Sequence, residues 1–347
     1  AVVSQVVDRT GSNTFWNDRI DQEKINLTSP EYDHQHNDLS AMIMILNEWV
    51  KAGESPLLVG HQGLCQFLRS HPRLDQGVAV AHFGSLRGTN EYEKRSVIFI
   101  TGRNQPPLDD IDRQARAVFG NSGSPLSHDD LDTLPTEQVE YWLSDLSPHK
   151  PSAISRSAFS DPRIEAIQGQ IREAETVQAI ARLRLVRADY HKRVFLLSNL
   201  PVEMPVDHLI GFSDLMPDKL EMELIKRGNV PLTRKGLLAM RPDLELSDEA
   251  AKKVVQRSKA SNPKSLLFTL PTLVRTATQI ATFKAGNKRK TTHSHLFLPK
   301  EYSGDPYASV FKHYTEAEVL SFLETGWGIG NVEDLQLSFL YGPEDDQ

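Results

Sequence analysis

Short apolar runs separated by an amphipathic segment dominate residues 48–103. The runs at 55–61, 78–84 and 96–102 each predict a short buried strand with a glycine at or near its end, and 63–70 has the spacing of a helix. Buried strands that alternate with helices are typical of a parallel sheet with crossover connections. The glycine-containing loops after these strands are then expected at the carboxyl edge of the sheet, where α/β folds bind ligands.

Residues 120–161 follow a different pattern, rich in Ser, Pro, His and Asp. We interpret them as an insertion that carries one helix at about 136–146. Pro162 then opens a long helix over 163–184, because apolar residues recur there at helical spacing. A strand is predicted to follow at 193–198.

From residue 213 onward the pattern changes again. It predicts three helices and then two β-like runs joined by a basic tip, in the order 217–227, 234–240, 248–257, 273–284 and 291–298. Three helices followed by a basic-tipped hairpin is the order of a winged helix-turn-helix. A capping box at 315–318 starts one more helix. We therefore expect an α/β domain over 1–210, a winged helix over 211–300 and a small α+β tail over 301–347.

Composition narrows the class of protein. The chain has 347 residues and a single cysteine, Cys65, which excludes a disulfide framework and a cysteine-based zinc site. No apolar run approaches the roughly 18 residues that a membrane-spanning helix needs. The first residues lack the pattern of a secretory signal. These features predict a cytoplasmic protein with no membrane partner.

The formal net charge of −7 is unevenly distributed along the chain. Residues 219–300 contain 17 Lys and Arg against 6 Asp and Glu, a balance of +11, which leaves −18 for the rest. A basic segment in an acidic chain favours an anionic partner bound by one domain. A solvated basic surface without a partner is the alternative.

Three segments carry candidate chemistry: His61-Gln62 after the first strand, 83–91 (Phe-Gly-Ser-Leu-Arg-Gly-Thr-Asn-Glu) after the second, and 175–184 (Glu-Thr-Val-Gln-Ala-Ile-Ala-Arg-Leu-Arg) near the end of the long helix. In this order and at these separations they resemble motifs IV, V and VI of superfamily 2 helicases, which belong to the second RecA-type domain. The similarity is to the C-terminal half of helicases of the bacterial plasmid and phage primase-helicase type. It covers about 56–205 well and the winged segment more loosely, and it implies a RecA-like sheet domain.

The resemblance implies a role for each matching residue of the long helix. Arg182 and Arg184 match the two arginines of motif VI, the second of which is the usual arginine finger, and Gln178 matches the glutamine that opens the motif. An arginine finger neutralises the charge that develops during phosphoryl transfer. Ala181 stands where the family usually has glycine. Ordinary surface ion pairs are the alternative role for these arginines.

The second segment has the composition of a phosphate-binding turn. Gly88, Thr89 and Asn90 offer backbone N–H groups and a hydroxyl, and we expect them to contact the nucleotide. A simple β-turn with a charged exit is the alternative. Residues expected to contact nucleic acid in this domain are His61, Gln62 and Arg87.

The sequence contains no Gly-x-x-x-x-Gly-Lys-Ser/Thr motif, so half of an ATPase site is missing from it. We therefore expect a P-loop domain to precede Ala1 in a longer parent protein. ATP and Mg²⁺ are expected as cofactors of that parent, with none bound tightly by this chain. The parent is expected to be an ATP-dependent helicase, whereas this chain alone is expected to be inactive.

The winged segment has its own nucleic-acid chemistry. Cations are expected on or just after its third helix and at the tip of its hairpin, where side chains can follow a phosphate track: Lys252, Lys253 and Arg257 on the helix, and Lys288, Arg289 and Lys290 at the tip. DNA is the expected partner, with RNA possible, and a wing that docks protein is the alternative. The pairs His34/His36 and His293/His295 lack a third ligand, so no metal site is predicted.

Two functions of different classes remain open from the sequence. The first is the motor half of an ATP-dependent DNA helicase or translocase. The second is a noncatalytic DNA-binding or replication-scaffold module that has kept the motor fold.

Overall fold

The computed structural model describes residues 1–28, 37–145, 147–188, 190–240, 247–258, 277–285, 291–300, 312–327 and 331–339. The chain divides into two compact units. The first unit comprises Ala1–Asp33 and Ser55–Phe212, and the second comprises His34–Glu54 and Ser213–Gln347. The predicted domain boundary at residue 210 lies close to the observed one at residue 212. Residues 34–54 group with the second unit, although the chain before and after them belongs to the first unit.

The regular elements follow in chain order. The strands are β1 Val2–Val6, β2 Pro56–Gly60, β3 Ala79–His82, β4 Val97–Thr101, β5 Thr136–Glu140, β6 Ala153–Ser157, β7 Arg193–Leu197, β8 His208–Ile210, β9 Asn229–Pro231, β10 Gln279–Ala285, β11 Thr291–Phe297 and β12 Val332–Phe339. The helices are α1 Asn13–Thr28, α2 Asp38–Lys51, α3 Gln62–Arg69, α4 Leu108–Phe119, α5 Pro162–Ala181, α6 Phe212–Leu215, α7 Lys219–Arg227, α8 Arg234–Met240, α9 Asp248–Arg257 and α10 Glu316–Trp327.

The first unit is built on a six-stranded sheet in the order β3-β2-β4-β7-β1-β8, and every pairing in it is parallel. Helices α1 and α3 pack together, as do α4 and α5. All residues of β2 and β4 are buried, which explains their continuous apolar sequences. The predicted α/β class with a parallel sheet is therefore confirmed, and the architecture is consistent with a RecA-like core.

The strand order reverses between β2 and β4. After β2 the chain passes through α3 to β3 on one side, whereas after β4 it passes through α4 and α5 to β7 on the other side. Adjacent connections that leave in opposite directions open a crevice at the carboxyl ends of the two strands, and α/β sheets bind ligands in such crevices. His61 follows β2 at this edge, and Gly102 and Arg103 follow β4.

The prediction of a helix at 136–146 is wrong. Residues Thr136–Glu140 form β5, which pairs with β6 in an antiparallel hairpin. In its register Val139 faces Ile154 and Glu137 faces Arg156, so an apolar pair and an ion pair hold the two strands together. The polar sequence of β5 gives no local sign of its partner strand, β6, which begins about 15 residues further along the chain.

Helix α5 confirms the long helix predicted from Pro162. Asp161 is its N-cap, and the Asp161 carboxylate accepts a hydrogen bond from the backbone N–H of Arg163. The Arg163 guanidinium and the Ser127 N–H also bond to Asp161, and together with the capping bond they hold the pKa of that carboxyl well below its usual range. The helix ends at Ala181, three residues before the predicted end.

The second unit contains a four-stranded antiparallel sheet in the order β12-β10-β11-β9. Helix α7 begins with a capping box between Asp218 and Glu221, and α9 begins at the predicted cap, Ser247. Strand β12 joins the sheet of β10 and β11, so the segments predicted as a winged helix and a separate tail belong to one compact unit. Among the described residues, no helix has the length and apolarity needed to cross a membrane.

Candidate functional site

Two predicted segments of the first unit meet along α5. Residues 83–96 connect the carboxyl end of β3 to the amino end of β4 without a regular helix and follow the side of α5. Glu175 of α5, which is 2% exposed, accepts hydrogen bonds from the Gly84 N–H (3.3 Å) and from the Arg87 Nε (3.1 Å). The Arg87 Nη2 group bonds to the same Glu175 oxygen. The Arg87 guanidinium is thus oriented by a buried carboxylate while most of its side chain remains exposed.

The two arginines near the end of α5 bond to the next residues of the same segment. Arg182 donates from Nη1 to the Thr89 carbonyl oxygen (3.2 Å), and Arg184 donates from Nη2 to the Asn90 Oδ1 (2.6 Å). Residues about 93 positions apart in sequence are therefore in direct contact. The Arg182 Nε group is buried and has no hydrogen-bond partner among the described residues, so this guanidinium is only partly satisfied.

Arg184 has an unfavourable backbone conformation. Its φ of 52° and ψ of 47° lie in the left-handed region, three residues after the last residue of α5. Glycine is the usual residue in this conformation after a helix, because a Cβ there costs roughly 1–2 kcal/mol. The arginine at this position therefore carries a cost in local stability, and strained backbone of this kind is often found at functional sites.

Lys192 connects the end of α5 to the 83–96 segment. Its buried ammonium group donates to the Leu183 carbonyl oxygen (2.6 Å), just after α5, and to the Glu93 carbonyl oxygen in the 83–96 segment. Because Lys192 immediately precedes β7, these bonds place Arg182 and Arg184 toward the amino ends of the strands. Basic side chains that bond to terminal helix carbonyls also satisfy groups that have no partner within the helix.

His61 and Gln62 lie at the other edge of the sheet, at the carboxyl end of β2. Gln62 is exposed, whereas the His61 Nε2 atom is buried and has no hydrogen-bond partner among the described residues. Burial lowers the pKa of His61, so this imidazole is neutral at physiological pH. The structure therefore separates the predicted residues into two groups. His61 and Gln62 lie at the carboxyl edge of the sheet, whereas Arg182 and Arg184 lie at the C-terminal end of α5.

The remaining predicted residues of the first unit are accessible but less constrained. Gln178 is half-buried on α5, and no hydrogen bond joins its side chain to another described residue. Gly88 has a φ of 75° with open space around it, and the Thr89 hydroxyl accepts a hydrogen bond from the Glu91 N–H. The turn formed by Gly88, Thr89 and Asn90 is therefore open to a ligand but is not shaped as a closed pocket.

The second unit exposes part of the predicted basic surface. Lys252, Lys253 and Arg257 are all exposed on α9, and in the part of the chain that the structure describes none of them makes an ion pair. Helix α9 is positioned by its Ser247 cap and by an Arg234–Asp248 ion pair of 2.5 Å with α8. The predicted tip residues Lys288, Arg289 and Lys290 lie outside the described residues.

The described residues contain no cluster of three or more potential metal ligands. His293 and His295 lie on β11, where His295 is 1% exposed and its Nε2 lies 3.1 Å from the Asn229 Oδ1. Burial lowers the pKa of His295 to about 3. His34 and His36 lie outside the described residues.

Sequence reasoning missed two charged features of the first unit. Glu175 lies within a segment that was singled out, but its role as the partner of Arg87 is visible only when the two segments meet. Arg103 follows the glycine at the end of β4, and the same signal that identified His61 after β2 was available for it. Helix α5 also shares a network of ion pairs with the hairpin, in which only Arg172 is fully buried: Arg156, Glu165, Arg172 and Glu173.

Comparisons with protein-family models, with curated protein sequences and with solved structures find no match to this chain.

Proposed function

We propose that this chain is the C-terminal motor half of an ATP-dependent DNA helicase or translocase, which supplies arginines to a nucleotide held by a P-loop domain of the same parent protein. The observation that carries the proposal is the contact of Arg182 and Arg184 with Thr89 and Asn90. These four residues belong to the two segments that resemble motifs V and VI. A motor must link the residues that sense the nucleotide to those that hold nucleic acid. This contact joins both arginines to the turn that begins directly after Arg87, the residue of the same segment that is expected to contact nucleic acid.

Each residue of this contact has a part in the proposed chemistry. ATP bound by the parent supplies the phosphoryl group, and the planar guanidinium groups of Arg182 and Arg184 donate to its oxygens as charge develops there. The left-handed backbone of Arg184 fixes where its side chain leaves the chain. Glu175 orients Arg87 toward solvent, where a nucleic-acid phosphate accepts its remaining N–H groups.

The second unit supplies DNA affinity in this proposal. Its elements α7, β9, α8, α9, β10 and β11 follow the order of a winged helix, and β9 pairs with β11 at the edge of the hairpin. In that arrangement α9 is the recognition helix, and its exposed lysines contact phosphates. The single cysteine, Cys65, is buried and unpaired, which supports our assignment of the protein to the cytoplasm.

A noncatalytic DNA-binding or scaffold module is the second candidate. It is favoured by the absence of a P-loop motif from the sequence and by the exposed cations of α9. Both candidates bind DNA, and they differ in whether Arg182 and Arg184 affect ATP hydrolysis.

The test is DNA-stimulated ATP hydrolysis by the natural polypeptide that carries this chain. Replacing Arg182 or Arg184 by lysine is expected to lower the hydrolysis rate by about 10³-fold while DNA binding persists, because an ammonium group cannot reproduce the guanidinium fork. Arg187→Lys is the matched control, since Arg187 is exposed three residues further on and its side chain has no hydrogen bond to a described residue. Unchanged hydrolysis in both variants, or a natural polypeptide without ATPase activity, would leave the scaffold function.

A further inference from the structure

A groove runs along α5, between this helix, the β5–β6 hairpin and residues 201–203. It has a volume of about 730 Å³, and all the residues that line it belong to the first unit. Binding sites in proteins commonly have volumes of roughly 300–1,000 Å³. The groove is therefore large enough to hold a ligand or a short stretch of another chain.

The floor of the groove is a face of α5 with short side chains. Ala166, Gly169 and Ala174 line it, so another backbone can approach the helix closely. The lined face runs from Pro162 to Val177, a length of about 22 Å at roughly 1.5 Å per residue. An extended peptide of about seven residues has the same length.

One wall of the groove carries an exposed tryptophan. Trp142 is 59% exposed, whereas Trp16 and Trp49 are both buried. Val177, which lines the same groove, is also exposed although it is apolar. Two large apolar side chains exposed along one groove are typical of an interaction site, whereas single exposed apolar residues need no explanation.

The backbone that carries Trp142 is held on both sides. The Trp142 carbonyl oxygen accepts a hydrogen bond from the Val206 N–H (2.8 Å), and the Ser144 N–H donates to the Val206 carbonyl oxygen (3.0 Å). On the other side, Tyr141 is buried and its hydroxyl donates to the Asn199 carbonyl oxygen (2.7 Å). An aromatic side chain on a fixed backbone loses little conformational entropy when it binds. Trp142 is thus suited to anchor a partner.

The unpaired charges of the groove are negative. Glu140 and Glu203 are exposed in its lining, and neither makes an ion pair with a residue in the described part of the chain. The Arg156 guanidinium also lines the groove, but it already contacts the carboxylates of Glu165 (3.2 Å) and Glu173 (2.5 Å). The groove therefore attracts a cationic occupant and repels a phosphate backbone.

We propose that this groove binds a basic, extended segment of a partner protein, about seven residues long, in which an arginine stacks on Trp142 and pairs with Glu140 or Glu203. Arginine suits this site because its planar guanidinium stacks on aromatic rings and matches the geometry of a carboxylate. An apolar side chain of the same segment packs on the α5 floor. The net charge of −7 opposes self-association of the chain, which favours a partner of opposite charge over a second copy.

The first experiment selects peptides from a phage-displayed library of random heptapeptides on the whole chain. Phage that also bind the Trp142→Ala variant are removed before each round. The surviving peptides are expected to be rich in arginine and lysine and to contain an apolar residue. A library from which no peptide distinguishes the wild type from Trp142→Ala, or one that yields acidic peptides, would overturn the proposal.

The second experiment titrates the most enriched peptide, with a fluorescent label, and follows its anisotropy. Trp142→Ala is expected to weaken binding about tenfold or more, because a central aromatic anchor contributes most of the affinity. Glu140→Gln combined with Glu203→Gln is expected to weaken binding about tenfold at low salt and to reduce its salt dependence, because two attractive charges are removed. Unchanged binding in either variant would contradict the assigned anchor.

Two matched controls test whether the groove itself is responsible. Val118→Ala removes an exposed apolar side chain from α4, and Glu91→Gln combined with Glu93→Gln removes two exposed carboxylates of the same unit. Both controls are expected to bind the peptide as the wild type does. If they lose as much affinity as the groove variants, binding follows general surface apolarity or net charge, and the groove has no role.

Sedimentation equilibrium of the chain alone separates a partner segment from a second copy. A monomer is expected, and a dimer that Trp142→Ala dissociates would show that a second copy covers the groove. Free arginine is expected to displace the labelled peptide only at concentrations about a hundredfold or more above the peptide's Kd, because it lacks the contacts with α5. Displacement near the Kd itself would mean that the site takes a small cation. None of these measurements involves ATP hydrolysis or DNA, so this proposal and the proposed function fail separately.

Discussion

The basic residues beside α5 and those on α9 are held in opposite ways. Arg182 and Arg184 each donate a hydrogen bond to a residue of the 83–96 segment, and Arg184 also has a left-handed backbone conformation. Lys252 and Lys253 are exposed on a regular helix and have no ion-pair partner among the described residues. The first pair has a fixed geometry, whereas the second pair presents charge alone.

The two regions are therefore expected to respond differently when arginine and lysine are exchanged. Where geometry matters, lysine does not replace arginine, because the ammonium group lacks the planar donors. Where only charge matters, lysine and arginine are interchangeable and the interaction weakens as salt rises. The two regions can therefore be distinguished by how they respond to substitution, to pH and to salt.

The largest expected effect comes from replacing Arg184, which is expected to reduce activity while leaving the stability of the fold almost unchanged. Arg184→Gly removes the side chain but relieves the left-handed backbone, so the free energy of unfolding is expected to stay within about 1 kcal/mol of the wild type. If the proposed function holds, ATP hydrolysis by the natural polypeptide that carries this chain is expected to fall about 10³-fold. Urea unfolding and a DNA-stimulated ATPase assay measure the two effects.

Arg187→Gly provides the opposite pattern as a control. It is expected to lower the free energy of unfolding by up to about 1 kcal/mol, as glycine does in helical turns, and to leave hydrolysis unchanged. If Arg184→Gly keeps full activity, the geometry at the end of α5 has no role and the contrast between the two regions disappears.

A second prediction separates the two units by pH. His295 of the second unit is buried with a pKa near 3, below the ordinary value of 6.5, so protonation favours the unfolded chain. Its contribution to stability is complete above pH 6.5 and declines as the pH falls toward 3, at about 1.4 kcal/mol per pH unit. By pH 4.5 the expected loss is about 2.7 kcal/mol. The bonds of Arg182 and Arg184 involve no group that titrates in this range.

Urea unfolding between pH 7 and pH 4.5 measures this slope. His295→Gln is expected to flatten it, and His128→Gln, which changes an exposed histidine of the first unit, is expected to leave it as in the wild type. An identical pH dependence for the wild type and His295→Gln would show that this histidine is not the acid-sensitive group.

The smallest expected effect concerns the lysines of α9. Replacing Lys252 and Lys253 by alanine is expected to weaken DNA binding on the order of tenfold and to lower the log–log salt slope by up to about two units. Replacing both by arginine is expected to preserve affinity and slope, because only charge is required. Fluorescence anisotropy of labelled DNA at several salt concentrations measures both quantities.

Lys219→Ala with Lys226→Ala is the matched control, because these lysines are also exposed and belong to the same unit. We expect this pair to have a smaller effect than the α9 pair. Equal losses from both pairs would mean that the DNA affinity follows net charge and that α9 has no particular role.

Local sequence was sufficient for much of the fold and for part of the candidate site. The apolar runs at 55–61, 78–84 and 96–102 correspond to β2, β3 and β4. Strands β2 and β4 are apolar throughout because they are buried on both faces, whereas β3 lies at the edge of the sheet and is half-buried. The caps at Ser247 and Thr315 were equally readable, since a side-chain cap acts within three residues. The residues Arg182 and Arg184 were found through a resemblance, and their spacing alone did not distinguish them from surface arginines.

Strand pairing was decided by contacts between distant residues. Strand β1 lies between β7 and β8, so Val3 pairs with Val194, and nothing near the start of the chain specifies that neighbour. The hairpin of β5 and β6 was misread for the same reason, because its polar residues are satisfied across the pair and not along the chain. Local periodicity reports burial, but it does not report which strand lies alongside.

The sequence by itself determined the α/β class of the first unit, about half of the strands and helices that the structure describes, and the concentration of positive charge after residue 219. Only the tertiary structure decided which charges have partners. Glu175 orients Arg87, and Arg184 takes a left-handed conformation after the end of α5, from where its side chain reaches Asn90. The physical reason is that burial and helix caps depend on neighbours a few residues away, whereas the energy of a charge depends on every group that folding brings within a few ångströms of it.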